Sequence, residues 1–323
     1  MNLSHDFDTD VEWILEACER RVSTYPPSLR QAGRACLDKY QLSKDTSQRK
    51  GLIYLLPFWL RETLGVDQEA CRLSALGITF GTLYFFVQDA VMDARPGEYK
   101  GHLLPLGSLF FLDFTALYRS LFDSGSPFWE YFEKYIKEWA ESVLWERKHH
   151  WGEVQEYKED DFIRLGHKAA PLKIPCTAMS LLAKREDAIG LLEEMLDYNL
   201  VVVQLMDDLR DWRGDLARGN YTYFLTRVMA ARGIGSPASL TEAEVEKALF
   251  VGRVFEEVLD LAAEYNRRTL ESISTLHAPY LEAYIDVLAQ QCRQLKGELQ
   301  AERARRIRER FAFLFQGASA IGE

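Results

Sequence analysis

The residues best equipped for chemistry lie in one run, Gln204-Leu205-Met206-Asp207-Asp208-Leu209-Arg210-Asp211-Trp212-Arg213-Gly214-Asp215. It follows an apolar stretch, Tyr198 to Met206. Asp207, Asp211 and Asp215 recur at i, i+4 and i+8, so on a helix they project from nearly one face, each about 6 Å above the last. Carboxylates stacked in this way repel one another unless a cation sits among them. Hard oxygen ligands of this type suit Mg²⁺, which completes its shell with water and substrate phosphates. A second pair, Asp89 and Asp93, follows the apolar run Gly81 to Val87 at the same i, i+4 spacing, 118 positions before Asp207. Two hydrophobic helices that each end in paired carboxylates suggest the two walls of a metal–diphosphate clamp. A merely solvated face would carry mixed signs and would not follow a core stretch so closely.

The elements that must position these residues are helical. The apolar period is near 3.6 almost throughout, and no segment alternates as a strand does. The spacing predicts an opening helix from Asp8–Asp10 to before Pro26-Pro27, then helices over 28–40, 48–64 (with Pro57 bending it) and 68–94. Further helices are predicted over 109–122, 128–150, 160–183 and 187–213, followed by 221–231, 242–264, 266–274, 280–296 and 299–315. Arg95-Pro96-Gly97 should break the chain after the first acidic pair, and Ser239-Leu240-Thr241-Glu242 reads as a capping box. No repeat or long linker divides the 323 residues, so a single all-α domain over 1–323 is expected, residues 1–47 being N-terminal helices packed on the bundle.

Composition excludes several functions. A net charge of −10 argues against non-specific nucleic-acid binding, and no basic patch is interleaved with aromatics. Cys18, Cys36, Cys71, Cys176 and Cys292 show no CxxC spacing and read as buried thiols of a reducing compartment. MNLSHDFDTD lacks the apolar core of a signal peptide, and the run Leu76 to Val87 is too short to span a bilayer. The expectation is a cytoplasmic protein without a transmembrane segment.

The paired motifs resemble the class I isoprenoid synthase superfamily, all-helical enzymes acting on prenyl diphosphates. Gln204-x-x-Asp207-Asp208-x-x-Asp211 is similar to the second aspartate-rich motif of trans-prenyl diphosphate synthases. Gln204-Leu205, Leu209-Arg210-Asp211, Asp215 and Arg218-Gly219 also resemble the QL…LRD…D…RG pattern of phytoene and squalene synthases. Asp89-x-x-x-Asp93 keeps the outer aspartates of a DDxxD motif, with Ala90 in place of the second, and Gln48-Arg49-Lys50-Gly51-Leu52 loosely resembles the basic segment that grips a second diphosphate in chain-elongating members. The resemblance implies a helical bundle with a central apolar cavity, and catalysis by Asp89, Asp93, Asp207 and Asp211. These four and Asp215 would bind Mg²⁺, three ions together with diphosphate, or Mn²⁺ in its place. Arg164, Lys168, Lys173, Gln204 and Arg210 would bind the diphosphate. Tyr84, Phe85 and Phe86 would line the tail pocket, where aromatic faces also stabilise carbocations. A homodimer is a further implication.

Each feature has a plainer reading. The Asp207 row could be a solvated face balanced by Arg210 and Arg213, the lysines could snorkel, and the aromatics could be core. Arg147-Lys148-His149-His150-Trp151 reads as a solvated helix end, because adjacent histidines do not share a helix face. Arginines 303, 305, 306, 308 and 310 read as a solvated terminal helix, with a diphosphate lid as the alternative. Within the superfamily, Ala90 and the absent Gly-Gly-Lys-Arg signature favour a terpene synthase (a lyase) ionising a C15–C25 allylic diphosphate. The alternatives are a chain-elongating transferase using isopentenyl diphosphate, head-to-head coupling, and a non-catalytic regulatory subunit.

Overall fold

In a computed structural model, which describes residues 5–39, 48–94, 98–150 and 156–319, all regular structure is helical and no strand occurs among the described residues. The helices are α1 (Asp8–Ser23), α2 (Pro27–Lys39), α3 (Gln48–Leu64), α4 (Gln68–Met92), α5 (Leu104–Leu121), α6 (Phe128–His150) and α7 (Glu159–Gly166). They continue as α8 (Lys173–Leu182), α9 (Asp187–Arg218), α10 (Tyr223–Arg232), α11 (Glu242–Val251), α12 (Val254–Ser272) and α13 (Pro279–Ser319). The Arg95-Pro96-Gly97 break and Trp151 lie outside the described residues, as do the side chains of Arg49, Lys50, His149, His150 and Arg310.

The described chain falls into two compact units. The first comprises Met1–Glu141, His167–Asp197 and Thr269–Tyr284, and the second Ser142–Gly166, Tyr198–Arg268 and Ile285–Glu323.

In the first unit α4 packs along α5. Asp67 caps α4 by accepting the amide of Ala70 at 3.0 Å, and Asp10 of α1 ties onto α4 through Arg72 at 2.7 Å and Gln68 at 3.1 Å. Gly77 and Gly81, one turn apart, turn bare backbone toward two buried rings of α5. A Cβ on Gly77 would stand 2.7 Å from Tyr118, and one on Gly81 would stand 2.8 Å from Phe114. These glycines therefore set how closely the helix ending in Asp89 and Asp93 approaches its neighbour. At 25 residues α4 is long and apolar enough to cross a bilayer, longer than the run Leu76 to Val87 suggests, but 78% of its apolar window is buried in the protein.

The helix over 160–183 is broken where Pro171 and Pro175 flank Lys173, as these prolines lead one to expect. Between α7 and α8 lies a 3-10 segment, His167–Leu172, in which Ala169 leaves helical geometry at φ −109° and ψ 17°. Pro171 has no amide for the helical ladder, and its ring disfavours helical backbone at Ala170. Pro175 is tolerated because it stands in the first turn of α8, where amides have no intrahelical partner.

In the second unit the core gathers Val202, Leu205, Leu209 and Trp212 of α9 with Phe224 and Val228 of α10 and Val258 and Ala262 of α12. α9 runs past its predicted end at Arg213 and stops at Gly219, whose φ of +72° suits only glycine at low cost. Gly219 donates its amide to the Leu216 carbonyl at 3.1 Å and Asn220 donates to that of Asp215 at 2.9 Å, a Schellman closure. The capping residue of α11 is Thr241, not Ser239; it accepts the amide of Glu244 at 3.3 Å. α11 and α12 part at Gly252, where Arg303 binds the carbonyl of Leu249 and the carboxylate of Glu256. Arg303 is therefore a structural tie, whereas Arg305 and Arg306 pair with Glu302 on the outer face of α13.

Candidate functional site

In the first unit, Asp89 lies half-buried in the last turn of α4, and Asp93 is its exposed C-cap, donating its amide to the Asp89 carbonyl at 2.8 Å. A helix C-terminus carries the negative end of the macrodipole and favours cations. Here it carries two carboxylates, and the last turn holds no basic residue. That concentration of negative charge and hard oxygen donors fits a divalent cation better than a helix cap.

Just before this pair, Tyr84 and Phe85 join an aromatic cluster. Ring centroids stand 4.9 Å apart for Tyr84 and Phe111 and 4.8 Å for Phe85 and Trp139, while Phe85 meets Phe114 edge-on at 6.5 Å. Burial raises the Tyr84 hydroxyl pKa above its ordinary value. Phe85 is thus a core residue, with Tyr84 and Phe86 half-buried on either side.

The second unit holds the longer acidic row on α9. Asp207 is half-buried and Asp211 exposed, whereas Asp208, on another face, is buried and accepts the Gln204 amide at 2.8 Å. Gln204, read from the resemblance as a diphosphate ligand, thus has its amide directed at Asp208. Burial first, then the charge of Asp208, raises the pKa of the nearby Tyr157 hydroxyl. Asp215 differs from its two row-mates. It is 6% exposed, and its Oδ1 accepts from Arg218 at 2.7 Å and Asn220 at 3.1 Å. The D…RG part of the sequence pattern therefore coincides with a helix stop: Asp215, Arg218 and Gly219 close α9. Arg213 does not balance the row, since it stacks on Trp212 and pairs with Glu246 of α11 at 2.9 Å. Arg210 is exposed and reaches Gln291 at 3.4 Å.

The basic residues before α9 have different surroundings. Arg164 is exposed over Trp145, with Asp161 at 3.8 Å. Lys168 is half-buried in the 3-10 segment. Lys173, expected on the diphosphate, lies inside the first unit. Its side chain is 2% exposed, and its ammonium lies 2.6 Å from Asp197 Oδ1 and 3.0 Å from Glu138 Oε2. This ammonium is thus engaged by two carboxylates of its own unit.

Asp197, His167 and Glu138 escape sequence reasoning. His167 Nε2 lies 3.0 Å from Asp197 Oδ1 and 3.5 Å from Lys173 Nζ. Burial pushes the Asp197 carboxyl up, but the hydrogen bond from His167 and the charge of Lys173 outweigh it and hold it below the usual carboxylate range. Alongside, Tyr135 bonds Glu193 at 2.5 Å and Thr177 at 2.7 Å, and Lys134 pairs with Glu193 at 2.7 Å. The only sequence signal is a lysine set among prolines and apolar residues.

No family model and no curated protein matches the sequence. Solved structures do match. A polyprenyl synthase from Caulobacter crescentus, in complex with calcium and isoprenyl diphosphate, superposes with a TM-score of 0.71 at 16% identity, over 89% of this chain and 96% of that one. Geranylgeranyl pyrophosphate synthase from Lactobacillus brevis gives 0.71 at 14% identity, over 90% and 100%. The geranylgeranyl pyrophosphate synthetase of the archaeon Geoglobus acetivorans gives 0.66 at 18% identity, over 88% and 99%. At these identities the likeness is one of fold.

Proposed function

From the class I isoprenoid synthase fold that this chain shares with those proteins, we propose that it is a metal-dependent prenyl diphosphate synthase, extending an allylic diphosphate with isopentenyl diphosphate. The observation that carries the metal-dependent part is the end of α4, where Asp89 and Asp93 add negative charge to the negative pole of a helix. Asp89 and Asp93 of the first unit, and Asp207 and Asp211 of the second, would each offer oxygens to Mg²⁺, which when bound supplies Lewis-acid neutralisation of a diphosphate leaving group. Asp215 is assigned to closing α9. Lys168, Arg164 and Arg210 would contact diphosphate oxygens as cationic donors.

The choice of elongation rests on the solved relatives, which are polyprenyl and geranylgeranyl diphosphate synthases. Ala90, which interrupts the first aspartate motif, keeps terpene synthesis as the second reading. The same solved structures favour elongation over head-to-head coupling. Product analysis after incubation with Mg²⁺ and C10, C15 or C20 diphosphates, with and without isopentenyl diphosphate, tests the assignment. Longer prenyl diphosphates formed only with isopentenyl diphosphate support elongation. A hydrocarbon or alcohol from one diphosphate alone establishes the terpene synthase instead, and no metal-dependent turnover of any substrate overturns both.

A further inference from the structure

The cluster around Asp197, in which Lys173 is buried and the other members are half-buried, falls outside the roles assigned above, and its placement is informative. It ties the broken stretch between α7 and α8 to the rest of the first unit from both sides. His167 is the first residue of the 3-10 segment and Lys173 the first of α8, and both converge on one oxygen, Asp197 Oδ1, at 3.0 Å and 2.6 Å. Lys168, the basic residue placed on diphosphate, lies between these two ties. Asp197 sits on α9, and Glu138, the second carboxylate on Lys173, sits on α6, so two neighbouring helices hold the segment.

The hydrogen-bond chemistry leaves little freedom. An ammonium donates only, so Lys173 donates to Asp197 and Glu138. His167 Nε2 meets a carboxylate oxygen and must carry its proton there. Its 3.5 Å approach to Lys173 is then an encounter of two donors around a shared acceptor. Asp197 is thus the one acceptor common to both ends of a stretch whose own ladder is interrupted at Ala169 and Pro171. A segment whose helical geometry breaks at Ala169 is held at both ends by these ties.

We propose that Asp197 is a positioning residue for diphosphate binding: through His167 and Lys173 it fixes the 3-10 segment that presents Lys168. The inference rests on the reading of the chain as a diphosphate-binding enzyme. Calorimetric titration of the full chain with inorganic pyrophosphate in excess Mg²⁺ tests it through a double-mutant cycle. Asp197→Asn should weaken binding about tenfold in the native background and leave it unchanged once Lys168→Ala is present, since coupled residues give non-additive losses. Asp197→Glu, which keeps the charge, should recover most of the loss. A general structural weakening would instead lower affinity equally in both backgrounds, and this additive result overturns the positioning role. So does full affinity in Asp197→Asn. His167→Ala, which leaves the Lys173–Asp197 pair intact, provides the same cycle if Asp197→Asn does not fold. If the unmodified chain fails to bind Mg²⁺–pyrophosphate, the functional reading itself falls, and the positioning role with it. Binding without coupling removes the positioning role alone.

Discussion

Lys173 Nζ stands 2.6 Å from Oδ1 of Asp197 with only 2% of the lysine side chain exposed, so this cation is neutralised by protein and not by water. Removing it leaves Asp197 and Glu138, each about a fifth exposed, without their closest cation. Breaking a buried pair from one side costs about 3–5 kcal/mol, far more than losing a surface pair. Lys173→Ala should therefore lower the denaturant midpoint by an amount in that range at unchanged slope. A loss below about 1 kcal/mol would mean that solvent reaches the cluster.

The same pair gives a pH dependence whose sign follows from Asp197. Its folded-state carboxyl lies below its ordinary value, because His167 and Lys173 together outweigh the opposing effect of burial. A depressed acid contributes stability above its unfolded pKa and loses that contribution as pH falls through the folded value. Chemical unfolding compared at pH 7 and pH 3 should show the native chain losing more stability than Asp197→Asn. Equal losses would assign the acid sensitivity to other carboxylates.

The extent to which this arrangement is legible in the sequence depends on how local each signal is. The bounds of α3 and α6 are readable because the apolar period runs through Gln48–Leu64 and Phe128–His150. The i, i+4 carboxylates are readable for the same reason. The break between α7 and α8 is readable from Pro171 and Pro175 alone, because the apolar period continues through it. Gly214 reads as the end of α9, yet the helix continues to Arg218, because a glycine ends a helix only where the following amides reach back to free carbonyls. Gly297 likewise fails to divide α13. Asp197 and His167 are thirty residues apart, and no spacing rule joins them.

Closure of α9 by Asp215 has a measurable consequence. Its side chain accepts from Arg218 and Asn220 while its carbonyl accepts the Asn220 amide. Asp215→Ala should cost about 1–2 kcal/mol, because a buried hydrogen-bonded carboxylate is lost at a helix terminus. Asp211→Ala on the exposed side of the same row should stay within about 0.5 kcal/mol. Equal costs at the two positions would contradict the different environments of these two acids.

Packing of α4 on α5 can be probed without touching a charged group. At Gly81 a methyl group would stand 2.8 Å from the ring of Phe114, which is completely buried. The ring cannot swing toward solvent, so overpacking in Gly81→Ala should cost about 1–3 kcal/mol. Gly125→Ala, with nothing within 4 Å of its added methyl, is the control. A thermal midpoint unchanged in Gly81→Ala would show that α4 and α5 can separate at little cost.

The proposed metal site makes its sharpest prediction through linkage. A ligand that binds only the folded state stabilises it by RT ln(1 + [L]/Kd), and a site completed jointly by metal and diphosphate responds fully only when both are present. Mg²⁺ alone should move the thermal midpoint little, because it meets carboxylates without the phosphate oxygens that complete its shell. Pyrophosphate alone should also move it little, because the acidic pairs repel it. Together they should raise it by several degrees, since about 2–3 kcal/mol follows from ligand at a hundred times its Kd. Asp89→Asn and Asp207→Asn should each abolish that joint rise and most turnover, while lowering the unliganded midpoint less than Lys173→Ala does. A joint rise that survives in both variants would place the metal elsewhere. A fall in the unliganded midpoint comparable to that of Lys173→Ala would make the carboxylates structural.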